Sequence, residues 1–228
     1  MFEEELFSIE KYVKDGDKIL AHISDRKNSE ILLEHSNLVI KYNQKIYEDK
    51  NLKVVFDKLA EKFFGQNEIL KKFWNEMIIN VSCMHDTGKL NINFQIDKMK
   101  NEIFERVPLC QSKRHSNLSA RIYIDYFTNK LLKLCSENKL NNDDIFKCFV
   151  FIILNSYVIS RHHSSTKNLN EDFFCEIATD YEKYKELFDE VNNYCPNLKL
   201  SIKASRKFFK IFEKLKINGE KWSKYVEN

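Results

Sequence analysis

The segment from Met84 to Gln95, MHDTGKLNINFQ, places three ionisable side chains within five positions: His85, Asp86 and Lys89. A helix that packs in a protein core rarely carries so many ionisable groups, because burying an unpaired charge is unfavourable. Imidazole nitrogen and carboxylate oxygen bind metal ions, and an ammonium group binds phosphate oxygens. The segment therefore predicts a site that binds metal and phosphate.

Four further histidines could join this segment at one site: His35, His115, His162 and His163. The last two are adjacent, and they follow the most apolar predicted helix, where a solvated pair is not expected. Neighbouring residues on a helix project about 100° apart, so both side chains can reach one cleft. The sixth histidine, His22, sits apart in the segment LAHISDRKNSE. We therefore predict a cluster of histidines around Asp86.

The composition of this cluster predicts two divalent ions. A carboxylate such as Asp86 can bridge two ions while imidazoles complete each shell, and two-metal hydrolases use ions roughly 3.5–4 Å apart to orient water and stabilise the leaving oxygen. So many imidazoles suit manganese, iron, cobalt or nickel better than magnesium, which favours oxygen ligands. Lys89 lies one turn beyond His85 and is expected to meet a phosphate oxygen in the same cleft. We therefore predict catalytic roles for Asp86, Lys89 and His85.

Long helices are expected to position these residues. The chain of 228 residues has only 4 glycines and 2 prolines, which leaves few turns and favours helices over many short strands. Apolar residues recur with helical spacing over 29–48, 52–64, 67–84, 116–133, 144–160, 171–193 and 201–215. Ser29 is a candidate N-cap of the first helix, the helix over 144–160 is expected to be central and buried, and Pro196 separates the last two. The sequence predicts an all-α fold in a single domain.

Charge and cysteine content narrow the function classes. The net charge of +3, with both signs well mixed, indicates a solvated surface and not a global nucleic-acid footprint. The segment KASRKFFKIFEKLK is interpreted as an amphipathic helix with a basic outer face, with a nucleic-acid path as the alternative.

The 6 cysteines form no CxxC pair and no secretory signal is present, so we expect reduced thiols and a cytoplasmic protein. No apolar run approaches the roughly 20 residues of a membrane span.

Several segments together resemble the HD superfamily of metal-dependent phosphohydrolases, and most closely the HD nuclease of the type I CRISPR effector. LAHISDRKNSEILLEH is similar to the opening segment of that family, HDTGKLNINFQ to its HD-x-GK segment, RHSNLSA to its third motif and RHH to its fourth. The similar segments run from about Leu20 to Ser164. The resemblance implies an HD-superfamily helical bundle over residues 1–228.

The resemblance also implies a ligand set. His35, His85 and Asp86 would hold one ion together with a late aspartate, and Asp86, His115, His162 and His163 would hold the second. The chain has no aspartate after Asp189. Asp172 and Asp180 lie too close in sequence to His163 to match the late aspartate. We therefore expect that the helix carrying this ligand is missing, so that the His35 ion is held more weakly.

The function implied is metal-dependent cleavage of single-stranded DNA, from an end or internally, in CRISPR antiviral defence. The partners implied are single-stranded DNA, a helicase and a CRISPR surveillance complex. No P-loop occurs in this sequence, so the helicase would be a separate chain or a fused part of the same polypeptide. Two alternatives stay open. One is an HD phosphohydrolase acting on nucleotides or cyclic dinucleotides, and the other is a non-catalytic HD scaffold that binds DNA or proteins.

Overall fold

The computed structural model describes residues 6–13, 16–23, 29–106, 114–163, 181–204, 206–208 and 210. The regular structure of these residues is mostly helical, which confirms the all-α prediction. The α-helices are α1 (Leu32–Asp49), α2 (Leu52–Phe64), α3 (Glu68–Met84), α4 (Ile92–Asp97), α5 (His115–Glu137), α6 (Asn142–Ser160) and α7 (Tyr181–Tyr194). Short 3₁₀ turns span Ile9–Lys11, Gly16–Lys18 and Thr87–Leu90, and residues 202–204 and 206–208 are also helical.

Side-chain caps fix where α3 and α6 begin. The Asn67 side chain accepts a hydrogen bond from the backbone N–H of Leu70 at 3.2 Å, and Asn141 does the same for Asp144 at 2.7 Å. Each cap satisfies a backbone donor of the first turn, which otherwise has no partner within the helix. The boundaries of α3 and α6 therefore lie within one or two residues of those predicted from the sequence.

A small antiparallel hairpin precedes α1, and the sequence did not predict it. Strand β1 (Leu20–His22) pairs with β2 (Glu30–Ile31), with Leu20 opposite Ile31. Strands this short show no measurable alternation of apolar and polar residues. The prediction that Ser29 caps the first helix is wrong, because Ile31 stands at the N-cap position and α1 has no side-chain cap.

The helices α3, α5 and α6 form the centre of the fold. The hydroxyl of Tyr123 on α5 donates to the carbonyl of Met77 on α3 at 2.8 Å, and it accepts from the Asn155 amide on α6 at 3.0 Å. Tyr123 is fully buried, so this bridge fixes the three helices against one another. The prediction that the helix over 144–160 is buried holds for one face only, since Leu154 is 40% and Val158 53% exposed.

The C-terminal described segment packs on this centre. Ala204 and Phe208 are buried, and the Phe208 ring meets Phe149 of α6 with centroids 5.5 Å apart. Lys203 and Lys207 are exposed, as in the predicted amphipathic helix. Residues 205, 209 and 211–216 of that predicted helix lie outside the described residues, as do Cys110, Cys175, Asp172, Asp180 and the predicted helical residues 171–180.

The described thiols are free, with Cys83, Cys148 and Cys195 buried and Cys135 partly buried. Burial raises the pKa of the Cys148 and Cys83 thiols, the latter to about 11. Among the described residues, no helix has the length and apolar character needed to span a membrane.

Candidate metal centre

The ends of four helices bring the predicted residues together. His85 is the C-cap of α3, His115 is the first residue of α5, and His162 and His163 follow the end of α6. His35 lies near the start of α1. Because α5 and α1 present their first turns where α3 and α6 end, residues far apart in the sequence meet at one end of the helical core.

Asp86 lies at the centre of this cluster and is 3% exposed. Its Oδ2 lies 3.3 Å from Nε2 of His35 and 3.3 Å from Nε2 of His85. Its Oδ1 lies 3.2 Å from Nε2 of His115 and 3.3 Å from Nε2 of His162. His163 completes the cluster, with its Nε2 3.1 Å from that of His115. Each carboxylate oxygen therefore faces its own pair of imidazoles.

Two groups of ligand atoms result, and the atoms of each group lie within 4.8 Å of one another. One contains His35, His85 and Asp86, and the other contains Asp86, His115, His162 and His163. These are the two sets that the resemblance implies, apart from the late aspartate. Groups of this composition and spacing could hold a metal ion.

Two histidines are fixed in the tautomer that a metal ligand needs. Nδ1 of His85 lies 2.7 Å from the carbonyl oxygen of Ser82, and Nδ1 of His162 lies 2.6 Å from that of Ile159. A carbonyl oxygen can only accept, so Nδ1 carries the proton in both rings. When such a ring is neutral, its Nε2 is left with a lone pair directed toward Asp86.

The arrangement of acceptors around Asp86 fits a cation. Nε2 of His115 lies 3.4 Å from Nε2 of His162 and 3.1 Å from Nε2 of His163. One proton on His115 can satisfy only one of these neighbours. The Oδ1 atom of Asp86 is buried and accepts no well-aligned hydrogen bond from the residues that the structure describes. Several lone pairs that converge without enough protons between them are stabilised by a shared divalent ion.

The electrostatics also favour an ionised carboxylate at the centre of this cluster. Burial by itself would raise the pKa of Asp86, but contacts with the surrounding imidazoles, His115 and His162 foremost, hold that pKa well below its usual range. Burial lowers the pKa of His163 to about 4, with further lowering from His162 and His115. The pKa of His35 is raised, chiefly by its contact with Asp86.

Lys89 is buried beside Asp86. Its ammonium group donates to Oδ2 of Asp86 at 2.8 Å and to the carbonyl of Ala21 in β1 at 2.9 Å, and Lys89 is 2% exposed. In this arrangement Lys89 orients Asp86 and tethers the hairpin. The phosphate contact expected from the sequence stays a prediction.

The hairpin adds residues that the sequence analysis did not select. The His22 and His35 ring centroids are 4.8 Å apart, so His22 lies beside the cluster and not apart from it. Glu30 places its Oε2 3.3 Å from Nδ1 of His35. A histidine or a glutamate in an unrecognised two-stranded hairpin gives no periodic signal, and only the position of His22 and Glu30 inside the segment LAHISDRKNSEILLEH could have indicated them.

Phe94 and Gln95, which follow the HD-x-GK segment, support the centre. The Phe94 ring packs edge-on against His115 with centroids 4.7 Å apart. The buried Gln95 amide donates to the carbonyls of Lys89 and Leu20 at 2.7 and 2.9 Å, and it accepts from the N–H of Leu20 at 2.8 Å. Gln95 therefore joins β1 to the turn that carries Lys89.

A shallow groove of about 400 Å³ borders the histidine cluster between α1, α3 and α6. His85 and His162 line it together with apolar residues that include Val39, Val81 and Val158. The side chains of these two histidines are 20% and 17% exposed, so the cluster is reachable from the groove.

Comparisons of this chain with models of protein families, with curated proteins and with solved structures find no match.

Proposed function

We propose that this protein is a metal-dependent nuclease that hydrolyses phosphodiester bonds of single-stranded DNA, in the manner of the HD nucleases of type I CRISPR effectors. The observation that carries the proposal is the convergence of histidine Nε2 atoms on the two oxygens of Asp86. The motif resemblance supplies the substrate class, which the cluster alone does not specify.

The two ligand groups would hold two divalent transition-metal ions, manganese, iron, cobalt or nickel in preference to magnesium. Ions held there supply Lewis-acid chemistry, which orients and acidifies water and stabilises the leaving oxygen. Asp86 belongs to both groups and keeps them adjacent. The carbonyls of Ser82 and Ile159 hold the rings of His85 and His162. The Nε2 atoms of both rings are therefore already directed at Asp86.

The groove beside His85 and His162 supports a polymeric substrate. Val81 and Val158 line the groove next to the two histidines, so a sugar or base could contact either valine while a phosphate lies near the cluster. A shallow groove can admit a strand that continues in both directions. A small nucleotide gains more from an enclosed pocket, because pockets bury most of a ligand's surface.

The proposed partners follow from the same resemblance. A helicase, on the same polypeptide or on a separate chain, would supply the single strand after a CRISPR surveillance complex has bound its target. This role belongs to the cytoplasm of a cell that defends itself against foreign DNA.

The experiment compares hydrolysis of circular and linear single-stranded DNA with hydrolysis of nucleotides and cyclic dinucleotides, each with Mn²⁺ added. We expect DNA cleavage in the wild type, none in Asp86→Asn, and wild-type cleavage in Asp49→Asn, which makes the same change at an exposed position of α1. Cutting of the circle would identify an endonuclease. Hydrolysis of the small substrates without DNA cleavage would replace this proposal with the nucleotide phosphohydrolase, and no hydrolysis by a metal-loaded protein would favour the scaffold.

A further inference from the structure

The imidazoles of His85 and His162 are held in the same way, and His35 is held differently. The first two donate their Nδ1 protons to backbone carbonyls three residues earlier, Ser82 and Ile159. Both carbonyls belong to the last turn of a helix, where carbonyl groups lack intrahelical partners. A helix C-terminus therefore provides an acceptor for a histidine placed just beyond it.

His35 has no such acceptor available in its own helix. It lies in the first turns of α1, where the free backbone groups are N–H donors and the carbonyls are used by the helix. The acceptor beside its Nδ1 is instead the carboxylate of Glu30, at 3.3 Å, from the strand that precedes α1. The opposite ring nitrogen, Nε2, lies 3.3 Å from Oδ2 of Asp86.

We propose that Glu30 is a positioning residue for the His35 ligand. Its carboxylate accepts the Nδ1 proton of His35, which holds the ring in the tautomer with Nε2 free for the ion shared with His85 and Asp86. An anionic acceptor also makes the ring a more basic ligand than a carbonyl does. The inference rests on the proposed metal centre but not on DNA as the substrate.

The hairpin is held firmly enough for this role. Lys89 donates to the carbonyl of Ala21, and Gln95 binds both backbone groups of Leu20, so β1 is fixed to the turn that follows Asp86. Strand β2, which carries Glu30, pairs with β1. The strand that carries Glu30 is therefore held beside the turn that positions Asp86.

A different reading would place an ion outside the cluster, because His22, Glu30 and His35 also have ligand atoms within 4.8 Å of one another. That ion would require a lone pair on Nδ1 of His35 and would move the proton to Nε2, which faces the first ligand group. One imidazole cannot serve both positions without losing both protons. The parallel with His85 and His162 favours the proton on Nδ1 and the ion on Nε2.

The test measures Mn²⁺ affinity of the full chain, stripped of metal, by titration. We expect Glu30→Ala to weaken one of two ions by about 10–100-fold, the usual effect of removing an outer-shell partner of a ligand, with a smaller loss in Glu30→Gln, whose amide oxygen still accepts. The other ion should keep its affinity. Glu34→Gln removes the same charge from an exposed position in the first turn of α1, and His22→Ala removes the neighbouring ring; both should bind as the wild type does.

A second readout separates positioning from a general structural effect. Nitrogen-15 chemical shifts of His35 in the metal-free protein, at a pH above the His35 pKa, should show the Nδ1–H tautomer in the wild type and a shift toward Nε2–H in Glu30→Ala. Unchanged affinity and tautomer in both Glu30 variants would overturn the proposal. If His22→Ala and Glu30→Ala each lose one whole ion, the positioning role of Glu30 is overturned. That result would favour an ion held by His22, Glu30 and His35 outside the cluster. An affinity change in a protein that cuts no DNA would leave this inference standing and would refute only the proposed nuclease.

Discussion

Gly88 lies directly against the backbone of His115, so the HD-x-GK turn and the start of α5 touch without any side chain between them. A Cβ atom added to Gly88 would overlap the carbonyl of His115 and would lie 2.8 Å from the backbone nitrogen of Ser119. The Gly88 N–H donates to the Ser119 hydroxyl at 2.7 Å. This contact brings Asp86 within reach of His115, and it explains why glycine stands in this turn.

Replacing Gly88 with alanine should therefore damage both stability and the metal centre. The inserted methyl must push the turn away from α5, and overpacking of this kind typically costs about 1–3 kcal/mol. Urea unfolding in the presence of EDTA measures the loss in the free energy of unfolding. Titration with Mn²⁺ should show weaker binding by the ligand group that contains His115, His162 and His163. The control is Gly16→Ala, where a Cβ would meet only side-chain atoms at 3.6–3.8 Å. Wild-type metal affinity in a folded Gly88→Ala protein would contradict the role given to this contact.

The buried pair of Asp86 and Lys89 predicts an effect on stability that is separate from metal binding. Asp86→Ala leaves the Lys89 ammonium, which is 2% exposed, with the Ala21 carbonyl but without its anionic partner. Breaking a buried pair in this way costs about 3–5 kcal/mol. Adding Lys89→Met to Asp86→Ala should restore much of the lost free energy of unfolding, because the double variant no longer buries an unpaired charge. Denaturant unfolding of the single and double variants in EDTA checks this, and additive effects of the two substitutions would contradict it.

Metal occupancy should fall in two steps as the solution is acidified. A proton and an ion compete for the same nitrogen, so a histidine with a raised pKa loses its ion at a higher pH than one with a lowered pKa. The pKa of His35 is raised by its contact with Asp86, whereas burial lowers that of His163 to about 4. On acidification, the ion held by His35, His85 and Asp86 should therefore dissociate first. Metal content per chain, measured after dialysis at a series of pH values, tests the order, and release of both ions in a single step would contradict it.

The helices were predictable because each carries a long apolar periodicity, and the predicted and observed bounds of α2 agree at both ends. The histidines that gather around Asp86 could be singled out in the sequence because histidines next to apolar helices have few structural uses. His85, His115 and His162 each stand at a helix end, which is where side chains from several helices can converge. In both cases the information lies within a short stretch of sequence.

The remaining features depend on contacts between distant segments. Nothing in the sequence around Glu30 indicates that it meets His35 through a hairpin, and the strands are too short to be recognised. The sequence placed Lys89 one turn from His85 but could not show that its ammonium is buried against Ala21. The close approach of Gly88 to His115 is likewise visible only in three dimensions.

The ligand composition predicts a preference among metals. The larger group offers three imidazoles and one carboxylate, and nitrogen ligands of this kind bind manganese, cobalt or nickel better than magnesium. DNA cleavage measured across these ions at equal concentration should be fastest with a transition metal. Equal rates in magnesium and in every transition metal would contradict the proposed ligands, and parallel assays of Asp86→Asn exclude a contaminating nuclease.

The most direct test of a metal centre around Asp86 is the position of Mn²⁺ in crystals of the protein, located by anomalous scattering. We expect one peak at coordination distance from Oδ1 of Asp86 and Nε2 of His115, His162 and His163. A second peak should lie beside Oδ2 of Asp86 and Nε2 of His35 and His85, with lower occupancy because this group has fewer ligands among the described residues. Crystals saturated with Mn²⁺ that show no peak next to Asp86 would contradict the account.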